Sequence, residues 1–293
     1  MFRFFVLYSV FFGSSSIAED IGHCGNSCEL HNIPVNVWQA KQDSSGKPIG
    51  LRMEYITRPL LQTPYLLDGI GEEQYPDTDP IVRYDAFDCL SFIEEAIALS
   101  LGDTEEEVDF VRKELRYANG DISYTNRNHF MESQWIPNAI AKGYLVDITH
   151  NVGETHIVSK TLTQHNWERW KSRPKFALDI GQFPVGTTKF GVLSLDVAIQ
   201  SISTFPEGAL LVIVRQNNPY NPVWITHLGF VVRSETNPKD VKIRHATKMS
   251  SGGVKEHNLL WYFEHIRLYS GPMEGILVLM PQEKDILLPS IPK

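Results

Sequence analysis

One cysteine stands behind an aspartate at what reads as the first turn of a helix, in Phe87-Asp88-Cys89-Leu90. The thiolate is the reactive form of cysteine, and a helix N-terminus lowers a thiol's pKa. Unpaired backbone N–H groups point outward there and can also hold a developing oxyanion. Cys89 is therefore the candidate nucleophile. A thiol nucleophile needs a base, usually a histidine oriented by a third polar group. His227 lies in ITHLGFVV (225–232). Strand alternation puts His227, Gly229 and Val231 on one face, and Leu228, Phe230 and Val232 on the other. A glycine beside the histidine leaves room in front of the imidazole. His245 lies in VKIRHAT, on the next expected strand. If the two strands pair, His245 sits beside His227 and can hold its ring. Taken singly, each strand histidine reads first as a satisfied core or surface group; the combination with Cys89 changes those odds.

The elements that must position these residues follow from pattern. Residues 51–62 read as a helix that Pro59 interrupts. A loop rich in Pro, Gly and Asp then leads to Cys89. From there Leu90, Ile93, Ala96 and Ile97 recur at helical spacing, with Glu94 and Glu95 between them, and Gly102 ends the helix. A second helix starts at Thr104, with Glu107 completing a capping box and Glu105–Glu107 suiting the positive end of the dipole. Residues 121–165 mix aromatics, His and Arg with strand-like stretches, and VLSLDVAIQSI reads as helical. From Glu207 onward GALLVIVRQ, WITHLGFVVRS, VKIRHATK and GILVLMP are strand runs parted by Asn, Pro and Gly. Helices first and adjacent strands later make an α+β pattern with an antiparallel sheet.

The chain has 293 residues and a formal charge of −8, which argues against a nucleic-acid partner. Arg3, the apolar run Phe4–Phe12 and the small residues ending at Ala18 read as a secretory signal, residues 1–18, with a cut after Ala18. That run is too short to span a bilayer, so the exported chain is expected to be periplasmic or secreted and off the membrane. Export makes an oxidising compartment the expectation. Cys24 and Cys28 then form a disulfide, stay as two thiols, or join His23 and His31 around zinc, and these alternatives stay open; Cys89 is the odd thiol.

Taken in order, TPY (63–65), FDCLSFIEEAIALS (87–100), ISYTNRNHF (122–130), QWIPNAIAKG (134–143), VDIT (146–149), ITHLGFVV (225–232) and RHATKMSSGGV (244–254) span most of the chain. This ordered set resembles the NlpC-like N-acetylmuramoyl-L-alanine amidase family, a branch of the papain-like cysteine peptidases first catalogued as a domain of unknown function. The resemblance implies a papain-like NlpC-type α+β core, with N-terminal helices packed on an antiparallel sheet. It implies a single domain over 19–293, with an inserted region at about 120–205. It also implies Cys89 as nucleophile, His227 as general base and His245 as the orienting residue. The implied reaction is hydrolysis of the amide between N-acetylmuramic acid and L-alanine of a peptidoglycan or muropeptide stem, with no metal and no cofactor. Tyr124, Arg127 and His129 read either as polar surface or as a substrate wall, arginine suiting the stem carboxylates; they recur in the family motif, and the resemblance favours the wall. Trp135 is expected to pack, and Asp88 to support its helix. Two departures stand out: Gln62 precedes TPY where the family often has glycine, and Thr247 follows His245-Ala246 where serine is common. The alternatives are a γ-D-glutamyl endopeptidase, an acyltransferase using the same acyl-enzyme, and a non-catalytic cell-surface binding protein. Oligomeric state is not implied.

Overall fold

The computed structural model describes residues 33–70, 77, 81–233, 237, 239–269 and 271–288. The signal segment, Cys24 and Cys28 lie outside the described residues. The helices are α1 (Val35–Asp43), α2 (Ile49–Thr57), α3 (Cys89–Leu101), α4 (Glu105–Arg116), α5 (Ile136–Ala141), α6 (Thr149–Val152), α7 (Gln164–Glu168), α8 (Leu195–Gln200) and α9 (Leu259–Tyr269). The strands are β1 (Leu145–Asp147), β2 (Thr155–Leu162), β3 (Gly186–Leu193), β4 (Leu210–Arg215), β5 (Ile225–Arg233), β6 (Val241–Thr247), β7 (Gly253–Asn258) and β8 (Met273–Pro281). All eight strands join one sheet in the order β2-β3-β8-β4-β5-β6-β7, with β1 also on β8, and every named pair is antiparallel.

The expected helix at 51–62 runs as α2 and then tightens at Arg58–Leu60, where Pro59 removes a donor. The expected order of helices first, strands later is only partly met. β1, β2 and β3 come from the middle of the chain and enter the same sheet, so residues 121–205 are built into the core. Of the stretch VLSLDVAIQSI, the first residues finish β3 and only Leu195–Gln200 is α-helical.

Helices cover both faces of the sheet. On one face α2, α3 and α4 pack Met53, Phe92, Ile97 and Val111 against Val212, Phe230 and Leu277. On the other, α8 and α9 pack Ala198 and Phe263 against Ile213, Val231 and Val278. This is why β4 reads as an unbroken apolar run: each of its faces is buried, and Leu210 to Val214 are fully enclosed. A third cluster joins Tyr124 and Phe130 to Trp167, Leu178 and Phe183 of the middle region.

α3 departs from the amphipathic pattern expected of it. Glu94 and Glu95 are buried, not set toward water. Each is paired from α4: Arg116 with Glu94 at 3.0 Å, Arg112 with Glu95 at 2.7 Å. Trp135 donates its Nε1–H to Glu94 at 3.0 Å while packing in the core. Breaking one member of such a buried pair leaves an uncompensated charge, which is the costly event. The two glutamates thus fix the rotation of α3, and with it the direction in which its first residue points.

Candidate active site

Asp88 is the N-cap of α3. Its carboxylate accepts from the Ser91 N–H at 2.8 Å, and its own N–H donates to Ser91 Oγ at 3.1 Å, a reciprocal box. Cys89 is the first helical residue. The N–H groups of Cys89 and Leu90 face the thiol, and so does that of Leu228 from β5. The ladder between β5 and β6 runs from Arg233 opposite Val241 to Phe230 opposite Arg244. Beyond Phe230 the strands leave that ladder, and there the Leu228 amide turns to the sulfur. On its other side β5 carries a bulge against β4: His227 faces Ile213, whereas Ile225 faces Val214, so Thr226 is the extra residue.

The two histidines share a face, as alternation requires. Gly229 makes this packing possible: a Cβ there would lie 2.7 Å from His245 Cβ and 2.9 Å from the Arg244 carbonyl. His227 Nε2 and His245 Nδ1 are 2.8 Å apart. His245 is fully buried, and its Nε2 lies 2.9 Å from Nδ1 of His257 on β7. His257 Nε2 in turn lies 3.3 Å from Ser250 Oγ. Three imidazoles therefore form one hydrogen-bonded row. Sequence reasoning passed over His257. The available signal was the Ser-Ser-Gly-Gly turn at 250–253, which makes a hairpin of β6 and β7 and sets His257 opposite Ile243, diagonal to His245.

Leu228 faces the α3 side and His227 the α9 side, where the His227 ring lies 6.5 Å from that of Tyr262. Among the described residues no hydrogen bond joins the Cys89 thiol to an imidazole, and Nδ1 of His227 is uncommitted. The electrostatics differ from the expectation for a helix N-terminus. Burial, then the Asp88 carboxylate, push the Cys89 thiol up to about 12, against the three N–H groups that act to lower it. Burial, then Arg215, bring His227 down to about 4. Burial and the flanking rings of His227 and His257 hold His245 well below the ordinary range. Burial thus disfavours the charged form both at the Cys89 thiol and at the His227 ring.

Cys89 opens into a cavity of about 450 Å3 whose walls include Tyr65, Arg127, His129, Phe130, Trp170 and Thr226. Of the three expected wall residues, Arg127 and His129 line it. Tyr124 is not among the lining residues: it is buried in the aromatic cluster and its hydroxyl accepts from the Ala177 N–H at 2.8 Å. Nor are these three an ordinary polar surface. Arg127 is buried and pairs with Asp77 at 3.2 Å, while its Nη2 donates to the Ile70 carbonyl at 3.2 Å. His129 Nε2 lies 2.7 Å from the Tyr124 carbonyl oxygen. Arg127 thus ties the 120s segment to the loop ahead of Cys89 and presents its remaining surface to the cavity. Among the described residues no cluster of three metal-ligating side chains occurs.

The sequence model of a family described as AmiA-like, N-acetylmuramoyl-L-alanine amidase-like, matches residues 55–269. The chain belongs to this family. The match takes in Cys89, His227, His245 and His257 together. Solved structures similar to this AmiA-like chain share its fold at low identity. A Legionella pneumophila protein assigned to a family of unknown function matches with a TM-score of 0.73 at 21% identity, over 86% of this chain and 95% of its own. An N-acetylmuramoyl-L-alanine amidase from Bacteroides uniformis matches with a TM-score of 0.61 at 18% identity, over 84% of this chain and 100% of its own. A Bacteroides fragilis protein named provisionally as a xylanase matches with a TM-score of 0.61 at 21% identity, over 79% and 98%. No curated protein sequence matches this AmiA-like chain significantly.

Proposed function

We propose that this AmiA-like protein is a cysteine-dependent peptidoglycan amidase with an NlpC-type, papain-like core, cutting the bond between N-acetylmuramic acid and L-alanine of the stem peptide. The observation that carries the reading is the thiol of Cys89: it opens into a cavity at a helix start, faced by three backbone N–H groups, at the end of the strand pair that bears the histidine row. In the proposed step His227 Nδ1 takes the thiol proton as sulfur attacks the amide carbonyl. The N–H groups of Cys89, Leu90 and Leu228 hold the oxyanion. His227 then gives its proton to the L-alanine nitrogen, the C–N bond breaks, and a thioester of the muramic acid carboxyl remains. Water, deprotonated by His227, hydrolyses the thioester and restores the thiol. The raised thiol and the lowered imidazole make proton transfer part of the attack, so sulfur becomes anionic only with substrate in place.

The protein is proposed to be exported through cleavage after Ala18 and to work on peptidoglycan or muropeptides in the periplasm or outside the cell, residues 19–293 acting as one domain. A glycosidase reading finds little support in the cavity, because two of its carboxylates are committed: Asp88 caps α3 and Glu94 pairs with Arg116. Mass spectrometry of muropeptides digested with the wild type and with Cys89→Ala tests the proposal. Free muramic acid carboxyl ends paired with new L-alanine amino ends, absent with the variant, support it. A cut within the stem makes the protein a γ-D-glutamyl endopeptidase instead, and unchanged turnover by Cys89→Ala removes the thiol from the reaction.

A further inference from the structure

The histidine row has a direction. If His227 Nδ1 accepts the thiol proton, its own proton sits on Nε2 and must be given to His245 Nδ1. His245 then carries its proton on Nε2 and gives it to His257 Nδ1, and His257 carries its own on Nε2, toward Ser250 Oγ. Each ring's tautomer is set by the hydrogen bond its neighbour makes. Fully buried His245 has no other hydrogen-bond partner among the described residues. The row crosses the sheet from the fully buried ring on β6 to a half-buried one on β7, the end nearest solvent.

We propose that His257 is a positioning residue: by accepting from His245 it holds His227 in the tautomer whose Nδ1 is free to take the Cys89 proton, and its own protonation switches that base off. The inference rests on the reading of His227 as the base. Protonated His257 carries hydrogen on both nitrogens, so its Nδ1–H faces His245 Nε2. His245 must then turn acceptor at Nε2 and hold its proton on Nδ1. His227 Nε2 becomes an acceptor, and its single proton moves to Nδ1, where the thiol proton was to go. One proton enters from solvent and each ring between keeps one, so the count balances. In catalysis the same shifts run from the other end: the thiol proton arrives at His227 Nδ1, and the positive charge can be relayed to His257. There it stacks on the Trp261 ring, 5.0 Å away between centroids.

The groups around His257 set where it titrates. From β6 it faces His245, from the hairpin turn Ser250, from α9 Trp261 and, beyond it, His265, and on its own strand Lys255. Burial, then the charges of His265 and Lys255, lower its pKa below the ordinary histidine value.

Two variants separate positioning from packing. Asn at 257 offers a side-chain oxygen where Nδ1 stood and does not protonate; Ala offers nothing. His257→Ala is expected to lower amidase turnover about ten- to a hundred-fold, the size found where the group that orients a metal-ligating histidine is lost. His257→Asn is expected to restore most of that rate at neutral pH and to move the acid limb of the rate profile to lower pH. Nitrogen-15 NMR of the ring nitrogens in the wild type, which needs no substrate, is expected to show His227 and His245 as Nε2–H tautomers that reverse together as His257 titrates. An acid limb unmoved in His257→Asn, or His245 and His227 tautomers that ignore the titration of His257, overturns the inference. Turnover retained in Cys89→Ala instead overturns the cysteine-dependent mechanism on which the inference rests, and the NMR result then still decides the tautomer coupling.

Discussion

Burial at Cys89 outweighs position. The helix start supplies N–H groups that favour the thiolate, yet enclosure pushes the thiol up to about 12. Alkylation by iodoacetamide is therefore expected to lag that of a free thiol of pKa about 8.5 throughout the neutral range. Half-maximal reactivity below pH 8 in a pH series of labelling rates contradicts this. His227 carries the matching expectation for stability. Its folded pKa of about 4 lies below the unfolded value near 6.5, so between these pH values the unfolded chain binds more protons. The contribution of a neutral His227 is complete above about pH 6.5 and is lost as pH falls toward 4. Thermal melts from pH 7 to 4 are expected to fall more steeply for the wild type than for His227→Asn. Parallel curves put the titration elsewhere. These signs were not legible in the sequence. Residue type and helix position were readable there, but the depth at which the thiol lies comes from β5, β6 and the middle region folding over it.

Elements carry the site through a few expensive contacts. Arg244 is buried beside His245 and pairs with Glu54 of α2 at 3.0 Å and with Glu256 of β7, so it ties three elements behind the histidine row. Arg244→Ala leaves Glu54 with Arg58 and Glu256 with Lys242 as their remaining partners, and is expected to cost up to about 3–5 kcal/mol in urea unfolding. A loss under about 1 kcal/mol shows the network to be dispensable. Gly229→Ala is expected to push β6 off β5 and break the His227–His245 bond, lowering turnover with the fold retained. The departure at Gln62 also has a backbone meaning. Its φ is 74°, a left-handed conformation, and Gly253 across from it has φ 119°. A non-glycine residue there costs about 1–2 kcal/mol, so the glycine common in the family is the unstrained choice. Gln62→Gly is expected to raise stability, by up to about 1 kcal/mol once its extra unfolded-state entropy is counted. The capping box at Thr104, the helix start behind Asp88 and the strands β4, β5, β6 and β8 were readable because local chemistry decides them; β7 was not. Glu94 and Glu95 were not, because only α4 reveals that their partners wait inside.

For the whole molecule, one antiparallel sheet with helices on both faces sets a helix start against the end of a strand ladder, and the middle region supplies the cavity's outer wall. Sequence pattern gave that region strand-like stretches with no destination. β2 and β3 are long and half-exposed, and the place of β3 beside β8, with β2 beyond it, depends on a pairing distant in sequence. Its aromatic cluster explains why Tyr124 stands behind the wall it was expected to form. Cys89, His227 and His245 could be singled out because each carries a reactive side chain in a recognisable local frame, whereas His257 sits in the polar run KEHN and joins the row of rings only once the hairpin closes.

The measurement that tests the central claim most directly is the mass spectrum of muropeptides after incubation with the wild type and with Cys89→Ala. The account predicts intact stem peptides released from muramic acid by the wild type alone, with the bond to L-alanine as the one cut. Release by the variant at the wild-type rate, or a wild-type digest in which that bond survives, contradicts it.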